Sequence, residues 1–295
     1  MEEKSLLRYL KITIKNLMPP IITKLILFIK NRDYLTPKFT YSGKFQSLND
    51  AFRKTNQNSY YLNNKYDSKI AETTCKKLSN YEFLDDYICN ESLGCHERRG
   101  FLLLLCMSFC KNSEKALNII DYGGATNPQY IHLTEEKRLK NNFFIIDREN
   151  LIKKIKGILS NEKMLIPENI YFFSDKNFSK NIKNVPIDIV FFGSCIQYIN
   201  NLNEHLSTFS KSGCKYFVFS DSVFTNFSNN FYVLQNNMKN TTFPNKWHSK
   251  TIFNDFMNNL GYELVANWKI FSKNKHDFLE KKCFDHQTLI YRKIN

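Results

Sequence analysis

Glycine is scarce in this chain, at 9 of 295 residues. Two glycine-rich patterns that cradle phosphates are absent: the dinucleotide pattern GxGxxG, and GxxxxGK followed by Ser or Thr. A pyrophosphate or triphosphate site built on either loop is therefore excluded. The one adjacent glycine pair, Gly123-Gly124, marks a backbone that must turn tightly or approach a ligand closely.

Paired cysteines at metal-binding or redox spacing are also missing. The chain has eight cysteines but no CxxC, and Cys106 and Cys110 lie four apart in an apolar run. The isolated Cys95-His96 pair lacks a second ligand cluster at zinc spacing, so we predict no metal site. Most of these residues are typical of buried thiols in a reducing compartment.

The chain is strongly basic, with a formal net charge of +14 and a pI near 9.3. Such a charge suits a polyanionic partner, whether nucleic acid, anionic lipid or a phosphorylated substrate. The lysines are scattered rather than blocked, however, and Asn, Ile, Phe and Tyr are abundant with them. Compositional drift therefore stays the favoured explanation, and a nucleic-acid partner is disfavoured.

The first 38 residues carry no recognisable secretory signal, because the chain opens with Glu2 and Glu3 rather than a basic region before an apolar one. We expect a cytoplasmic protein. The apolar run Ile21–Ile29 is interrupted by Lys24 and is shorter than the ~20 residues of a spanning helix. Residues 11–32 fit either peripheral contact with an anionic membrane or packing against the main domain or a partner subunit.

Residues 39–111 are predicted to form a helical lid or substrate-facing region. From Phe39 to about Arg99 the pattern is helical and polar, without strand alternation. The apolar run Gly100–Lys111 reads as a buried helix, although periodicity alone leaves a buried strand open.

Residues 112–295 alternate between short apolar runs and amphipathic helical stretches, which is typical of a mostly parallel sheet covered by helices on both faces. The predicted strands are Asn118–Tyr122, Phe143–Asp147, Ile170–Phe173, Asp188–Phe192, Lys215–Ser220, Tyr262–Ile270 and His286–Arg292. The predicted helices are Gln129–Leu139, Arg148–Leu159, Asn201–Ser212 and Ser249–Leu260.

Polar residues end three of these strands. Asp121 precedes the glycine pair, Asp147 closes the next strand, and Ser174-Asp175 follows the third. In an open parallel sheet these ends meet at one crevice, where a carboxylate can accept both hydroxyls of a ribose. With no phosphate-binding loop, the pattern favours a nucleoside without phosphates, and S-adenosylmethionine is the common one.

The order of these motifs resembles the class I methyltransferases, and more narrowly the methyltransferase family found with bacterial surface-polysaccharide biosynthesis. The quoted matches are Tyr41-Ser42-Gly43-Lys44-Phe45, Leu48, Ala51, Glu97-Arg98, Gly193-Ser194-Cys195-Ile196-Gln197-Tyr198, Asp221, Phe243-Pro244, Trp247, Gly261-Tyr262 and Trp268. The resemblance implies a Rossmann-like α/β fold with a mostly parallel seven-stranded sheet and an N-terminal helical extension. It also implies S-adenosylmethionine as cofactor, with a small-molecule or glycolipid acceptor. The expected cofactor-binding residues are Asp121, Gly123, Gly124, Asn127, Asp147, Ser174, Asp175, Gly193 and Ser194.

The chain departs from the family in two places. A further glycine is expected after the pair, but Ala125, Thr126 and Asn127 follow. Asn tolerates a left-handed backbone, which makes Asn127 a candidate replacement. Arg99 stands where an acidic residue is expected.

Methyl transfer to a hydroxyl requires a positioned acceptor and removal of its proton. Asp221 is the first candidate base, followed by Glu97, His248 and Tyr198. Each also has a structural interpretation: Asp221 as a loop cap, Glu97 as the partner of an adjacent arginine, and His248 as a helix N-terminal residue. The run Asn127-Pro128-Gln129-Tyr130 resembles an amino-methylation signature, but it follows the first strand instead of the fourth, which disfavours that activity on nucleic acid.

Three hypotheses follow. The first is a methyltransferase, O-directed, acting on a sugar or glycolipid intermediate. The second is a degenerate methyltransferase fold that serves as a binding module, motivated by the missing glycine. The third is a basic RNA-directed methyltransferase. Acceptor specificity is expected in the N-terminal third and in residues 222–247.

Overall fold

The computed structural model describes residues 39–55, 64–79, 95–110, 115–163, 166–237, 242–270, 275–276 and 284–294. The predicted membrane-surface segment, residues 1–38, lies outside the described residues. In the part of the chain that is described, no helix is long and apolar enough to cross a membrane.

Strands and helices alternate through most of the described chain. The strands are β1 (Phe39–Phe45), β2 (Asn118–Tyr122), β3 (Asn142–Asp147), β4 (Ile170–Ser174), β5 (Ile189–Gly193), β6 (Tyr216–Thr225), β7 (Phe231–Asn237), β8 (Thr242–Ser249), β9 (Tyr262–Ile270), β10 (Lys275–His276) and β11 (Phe284–Lys293). The helices are α1 (Leu48–Phe52), α2 (Asn64–Ser79), α3 (Cys95–Phe109), α4 (Glu135–Lys140), α5 (Glu149–Asn161), α6 (Phe178–Asn181), α7 (Leu202–Lys211) and α8 (Lys250–Asn259).

Seven strands form the central sheet in the order β4-β3-β2-β5-β6-β11-β9. The pairs from β4 to β6 are parallel, whereas β11 runs antiparallel to both β6 and β9. The predicted mostly parallel, seven-stranded Rossmann-like sheet is therefore confirmed. Because the strands from β2 to β6 are parallel neighbours, their carboxyl ends lie along one edge.

Helices cover both faces of this sheet. On one face α2, α3 and α5 pack against alternate strand residues such as Ile119 and Phe143. On the other face α6, α7 and α8 pack against the intervening residues, such as Ile120 and Phe144. Successive strand residues point to opposite faces, so a strand buried on both must be apolar throughout. This explains why the apolar runs predicted these strands.

A second, smaller sheet stands beside the carboxyl edge of β6. Its order is β10-β1-β7-β8, and β8 joins β6 through the pairs Phe224 with His248 and Thr225 with Ser249. The expectation that the chain is helical from Phe39 onward is wrong for Phe39–Phe45, which is β1. Antiparallel pairing with β7 stabilises this strand, and Tyr41 is buried with its ring centroid 5.1 Å from that of Trp247.

Candidate functional site

The loop after β2 is tightly folded around the carboxylate of Asp121. Gly123 has φ +74°, in the left-handed region, and its N–H donates to the Ile146 carbonyl at 2.7 Å. A Cβ added to Gly124 would lie 2.3 Å from Cγ of Asp121. Both glycines are therefore required by the local geometry: Gly123 by its backbone angle and Gly124 by close approach.

Asp121 itself is buried, at 2% exposure. Burial raises the pKa of its carboxyl group to about 7, opposed by the Gln129 N–H, which donates to Oδ2 at 2.7 Å, and by the nearby Arg99. The charged form is thus held by few partners in a dry environment. A cation arriving here would stabilise that charge.

Asp147 occupies the end of β3, next to the same loop. Its carboxylate accepts the N–H of Ala125 at 3.2 Å and that of Arg148 at 2.7 Å. Burial raises its pKa in spite of these bonds and of the Arg148 side chain. Asp147 therefore joins two loops and presents a second buried carboxylate at the crevice.

Ser174 and Asp175 follow at the end of β4. The Asp175 N–H donates to the Asp147 carbonyl at 2.9 Å, which fixes this turn beside β3. Ser174 Oγ and Asp175 Oδ1 are buried and have no hydrogen-bond partner among the described residues. Burial raises the pKa of Asp175. Since buried polar atoms in native proteins are nearly always paired, these two indicate a place for a ligand.

The end of β5 closes the other side of the loop. Ser194 has φ +57°, and its N–H donates to the Ser220 carbonyl at 2.8 Å. Cys195 donates its thiol to the Tyr122 carbonyl at 3.1 Å, and burial raises the thiol's pKa. Cys195 is thus an inert packing residue against the glycine loop. Among the described residues no group of three or more His, Cys, Asp or Glu could hold a metal ion.

An ion pair at the crevice joins Arg99 of α3 to Asp221 of β6. Arg99 Nε donates to Asp221 Oδ2 at 2.8 Å, and both side chains are nearly buried. A Cβ added to Gly193 would meet the Arg99 guanidinium at 3.5 Å, which places that group at the end of β5. Asp221 also has φ +52°, a strained value for a residue other than glycine. The sequence marks Arg99 as a departure from the family pattern but does not predict this pair.

Helix α2 covers the glycine loop. The Thr74 hydroxyl donates to the Ala125 carbonyl, and Lys77 Nζ donates to Asn127 Oδ1 at 2.7 Å. The interpretation that Asn127 replaces a glycine through a left-handed backbone is wrong, because its φ is −156°. The left-handed position is Gly123, so the residues after the pair do not need a further glycine. Asn127 instead connects α2 to the loop through its side chain.

The remaining candidate bases differ in position. Glu97 lies in α3, and its side chain is outside what the structure describes. His248 is buried at 3% exposure against Phe224 and Phe253, and burial lowers its pKa to about 3. Tyr198 is partly exposed as a residue, but its hydroxyl donates to Gln235 Oε1 at 2.9 Å. The structure therefore brings Asp221 to the strand ends with the expected cofactor residues and places His248 in the core.

Several solved structures are similar to this chain at low sequence identity. A S-adenosylmethionine-dependent methyltransferase from Clostridium acetobutylicum is 10% identical over 69% of this chain and 94% of that chain, with a TM-score of 0.42. The 1,6-didemethyltoxoflavin-N1-methyltransferase of Burkholderia thailandensis is 9% identical over 78% and 90%, with a TM-score of 0.43. The cyclase SpnF is 6% identical over 67% and 80%, with a TM-score of 0.45. No protein-family model and no curated protein matches the chain. Function must therefore be argued from the site.

Proposed function

We propose that this protein is a S-adenosylmethionine-dependent methyltransferase. The observation that carries the proposal is the row of carboxyl groups at the ends of three adjacent strands: Asp121 and Asp147, which are buried, and Asp175, which is half-buried. Burial raises the pKa of each, so the row favours a ligand that brings positive charge and hydrogen-bond donors. S-adenosylmethionine carries a sulfonium, an ammonium, two ribose hydroxyls and an adenine amine, and it has no phosphate.

The individual residues fit these groups. Asp147, at the end of the second strand of the parallel series, would accept the ribose hydroxyls. The unpaired oxygens of Ser174 and Asp175 would accept the adenine amine. The loop at Asp121 and Gly123 would hold the amino-acid end. When bound, the cofactor supplies an electrophilic methyl group.

The finer proposal concerns the acceptor. We propose O-methylation of a sugar or glycolipid intermediate of surface-polysaccharide biosynthesis, at the cytoplasmic side of a membrane. The sequence resemblance supports this choice, as does the absence of an amino-methylation signature after β5. Asp221 is the candidate for orienting the acceptor hydroxyl, because Arg99 fixes its carboxylate in the middle of β6, level with the end of β5, where Gly193 pairs with the adjacent Ser220.

Calorimetric titration with S-adenosylmethionine tests the proposal directly. Wild type should bind, and Asp147→Asn should weaken binding at least about tenfold by removing one charged acceptor from a bidentate pair. Asp255→Asn, which removes an exposed carboxylate in α8, is the matched control and should bind like wild type. No binding by wild type at millimolar ligand would refute the proposed function.

Turnover distinguishes an enzyme from the binding module that the unusual loop had suggested. The loop gives no structural support for a degenerate site, since residues 125–127 adopt no left-handed backbone. Methyl transfer to any acceptor would rule the binding module out. An RNA acceptor stays a separate prediction, tested by mapping the surface potential beside the crevice for a contiguous basic face.

A further inference from the structure

Four polar side chains form one buried cluster beside the crevice, which we name the amide cluster: Gln197, Tyr198, Gln235 and Asn245. Gln235 Oε1 accepts the Tyr198 hydroxyl at 2.9 Å and Asn245 Nδ2 at 2.8 Å. The Gln197 side chain lies within hydrogen-bonding range of the same Tyr198 hydroxyl. The cluster thus joins the turn at Ile196–Tyr198 to the hairpin formed by β7 and β8.

Two carbonyl oxygens of the amide cluster are unpaired. Gln197 Oε1 and Asn245 Oδ1 have no hydrogen-bond partner in the described part of the chain, although the residues are only 5% and 0% exposed. Each amide group is nevertheless anchored through its nitrogen, Gln197 to the Ser194 carbonyl and Asn245 to Gln235. A buried acceptor without a donor is destabilising. Both oxygens therefore indicate that a ligand supplies the missing hydrogen-bond donors.

The surroundings of these amides are apolar. Along β7 and β8 the residues on the same face include Phe231, Val233 and Trp247, all fully or almost fully buried. An aliphatic side chain at 245 would suit this face without leaving an unpaired oxygen. The hydrogen bond to Gln235 accounts for the amide nitrogen of Asn245 but not for its unpaired oxygen.

The position of the amide cluster links it to the cofactor crevice. The turn carrying Gln197 and Tyr198 begins three residues after β5 ends, and the β7–β8 hairpin follows the carboxyl end of β6. Both elements thus extend from the strand-end edge that carries the carboxyl row. Tyr198 is 39% exposed as a residue, and its ring lies 5.7 Å from the Phe243 ring, centroid to centroid, so aromatic side chains border the polar atoms.

We propose that the amide cluster is the acceptor-binding subsite and that it takes an uncharged, hydroxyl-bearing acceptor. Gln197 Oε1 and Asn245 Oδ1 accept the hydrogens of two acceptor hydroxyls, and Tyr198 packs against the acceptor's carbon skeleton. The four side chains of the cluster are neutral, which selects against a charged acceptor in a site this dry. This assignment rests on the proposed methyltransferase function and names the substrate class of the same site.

The test uses the full-length protein with Asn245→Leu and Gln197→Leu. Asn236→Leu is the control, because Asn236 is an amide of β7, the strand paired with β8, on the face opposite to Asn245. Methyl transfer from labelled S-adenosylmethionine is measured to methyl hexosides, to the matching hexuronic acids and to amino sugars. We expect transfer to methyl hexosides, a rise in KM of at least about tenfold in both subsite variants with kcat little changed, and a wild-type KM in the control.

Thermal unfolding distinguishes a binding role from a structural one. Both subsite variants should melt no lower than wild type, because removing an unpaired buried oxygen offsets the hydrogen bonds that are lost with each amide. A marked fall in melting temperature, an unchanged KM, or transfer confined to the charged sugars would overturn the proposal. So would a wild-type enzyme that binds S-adenosylmethionine and methylates no methyl hexoside.

A measurement without cofactor separates this proposal from the proposed function. The same methyl hexosides are titrated into wild type while the side-chain amide NMR signals of Gln197 and Asn245 are followed. Shifts confined to these signals support the subsite even if calorimetry shows no cofactor binding. No shift with any hexoside overturns the subsite and leaves the cofactor site unaffected.

Discussion

Replacing Asp121 with Asn should flatten the pH dependence of stability. Burial raises the pKa of Asp121 to about 7, from 3.8 for an unperturbed carboxyl group. The folded state therefore binds a proton that the unfolded state has released, across the range between these two values. Stability from this group is present below the unfolded pKa and is lost as the pH rises through the folded pKa.

The size of the effect follows from the pKa difference. A shift of about three units corresponds to about 4 kcal/mol between the protonated and ionised forms, of which about 2 to 3 kcal/mol is lost between about pH 5 and about pH 8. Asn cannot ionise, but its carbonyl oxygen can still accept the Gln129 N–H that Asp121 accepts at 2.7 Å. The variant should therefore fold, and it should lose this pH-dependent component.

The assay is urea unfolding at a series of pH values, with the wild-type free energy compared with that of the variant at each pH. Other groups titrate equally in both proteins, so the difference isolates Asp121. As the pH rises, the free energy of unfolding of the Asn variant should increase relative to that of wild type. The difference in free energy of unfolding between the exposed Asp255→Asn control and wild type should stay constant. Parallel curves for Asp121→Asn as well would refute the reasoning about its burial.

Two further predictions concern the same crevice. Gly124→Ala places a Cβ 2.3 Å from the Asp121 carboxyl carbon and should lower the free energy of unfolding by about 2 kcal/mol or more, measured by urea titration. Gly157→Ala in α5 is the control, because its added Cβ meets nothing within 4 Å, and it should raise the free energy of unfolding by about 0.5 to 1 kcal/mol. Arg99→Gln leaves Asp221 nearly buried without its cation and should cost about 3 kcal/mol. Adding Asp221→Asn should recover most of that loss, and a double variant no more stable than the single one would contradict the ion pair.

The strands of the central sheet could be predicted because their signal is local. Runs such as Ile189–Gly193 are apolar throughout, since helices cover both faces, and each ends at a polar or glycine residue. The small sheet has no such signal. Strands β7 and β8 contain amides and Pro244, and the sequence of β1 predicts a helix. These strands form because they pair with one another, and such pairing between distant segments leaves no local pattern in the sequence.

Some residues of the candidate site can likewise be predicted from local sequence, and others cannot. Asp121, Asp147 and Asp175 follow directly from strand ends, and the structure places all three at one edge. The Arg99–Asp221 pair joins residues 122 positions apart, and no pattern in the sequence connects them. The prediction of a left-handed backbone at Asn127 is wrong, because the left-handed residue of this turn is Gly123.

The pairing of β1 with β7 has a consequence for the order in which the molecule folds. Ser42 and Asn236, which are hydrogen-bonded between these strands, lie 194 positions apart. During synthesis β1 therefore emerges long before its partner exists, and closing so long a loop is slow compared with forming local contacts. The parallel series from β2 to β6 is complete in the chain before β7 is made. The parallel strands are thus synthesised first, and the small sheet is completed only when the β7–β8 hairpin pairs with a strand made much earlier.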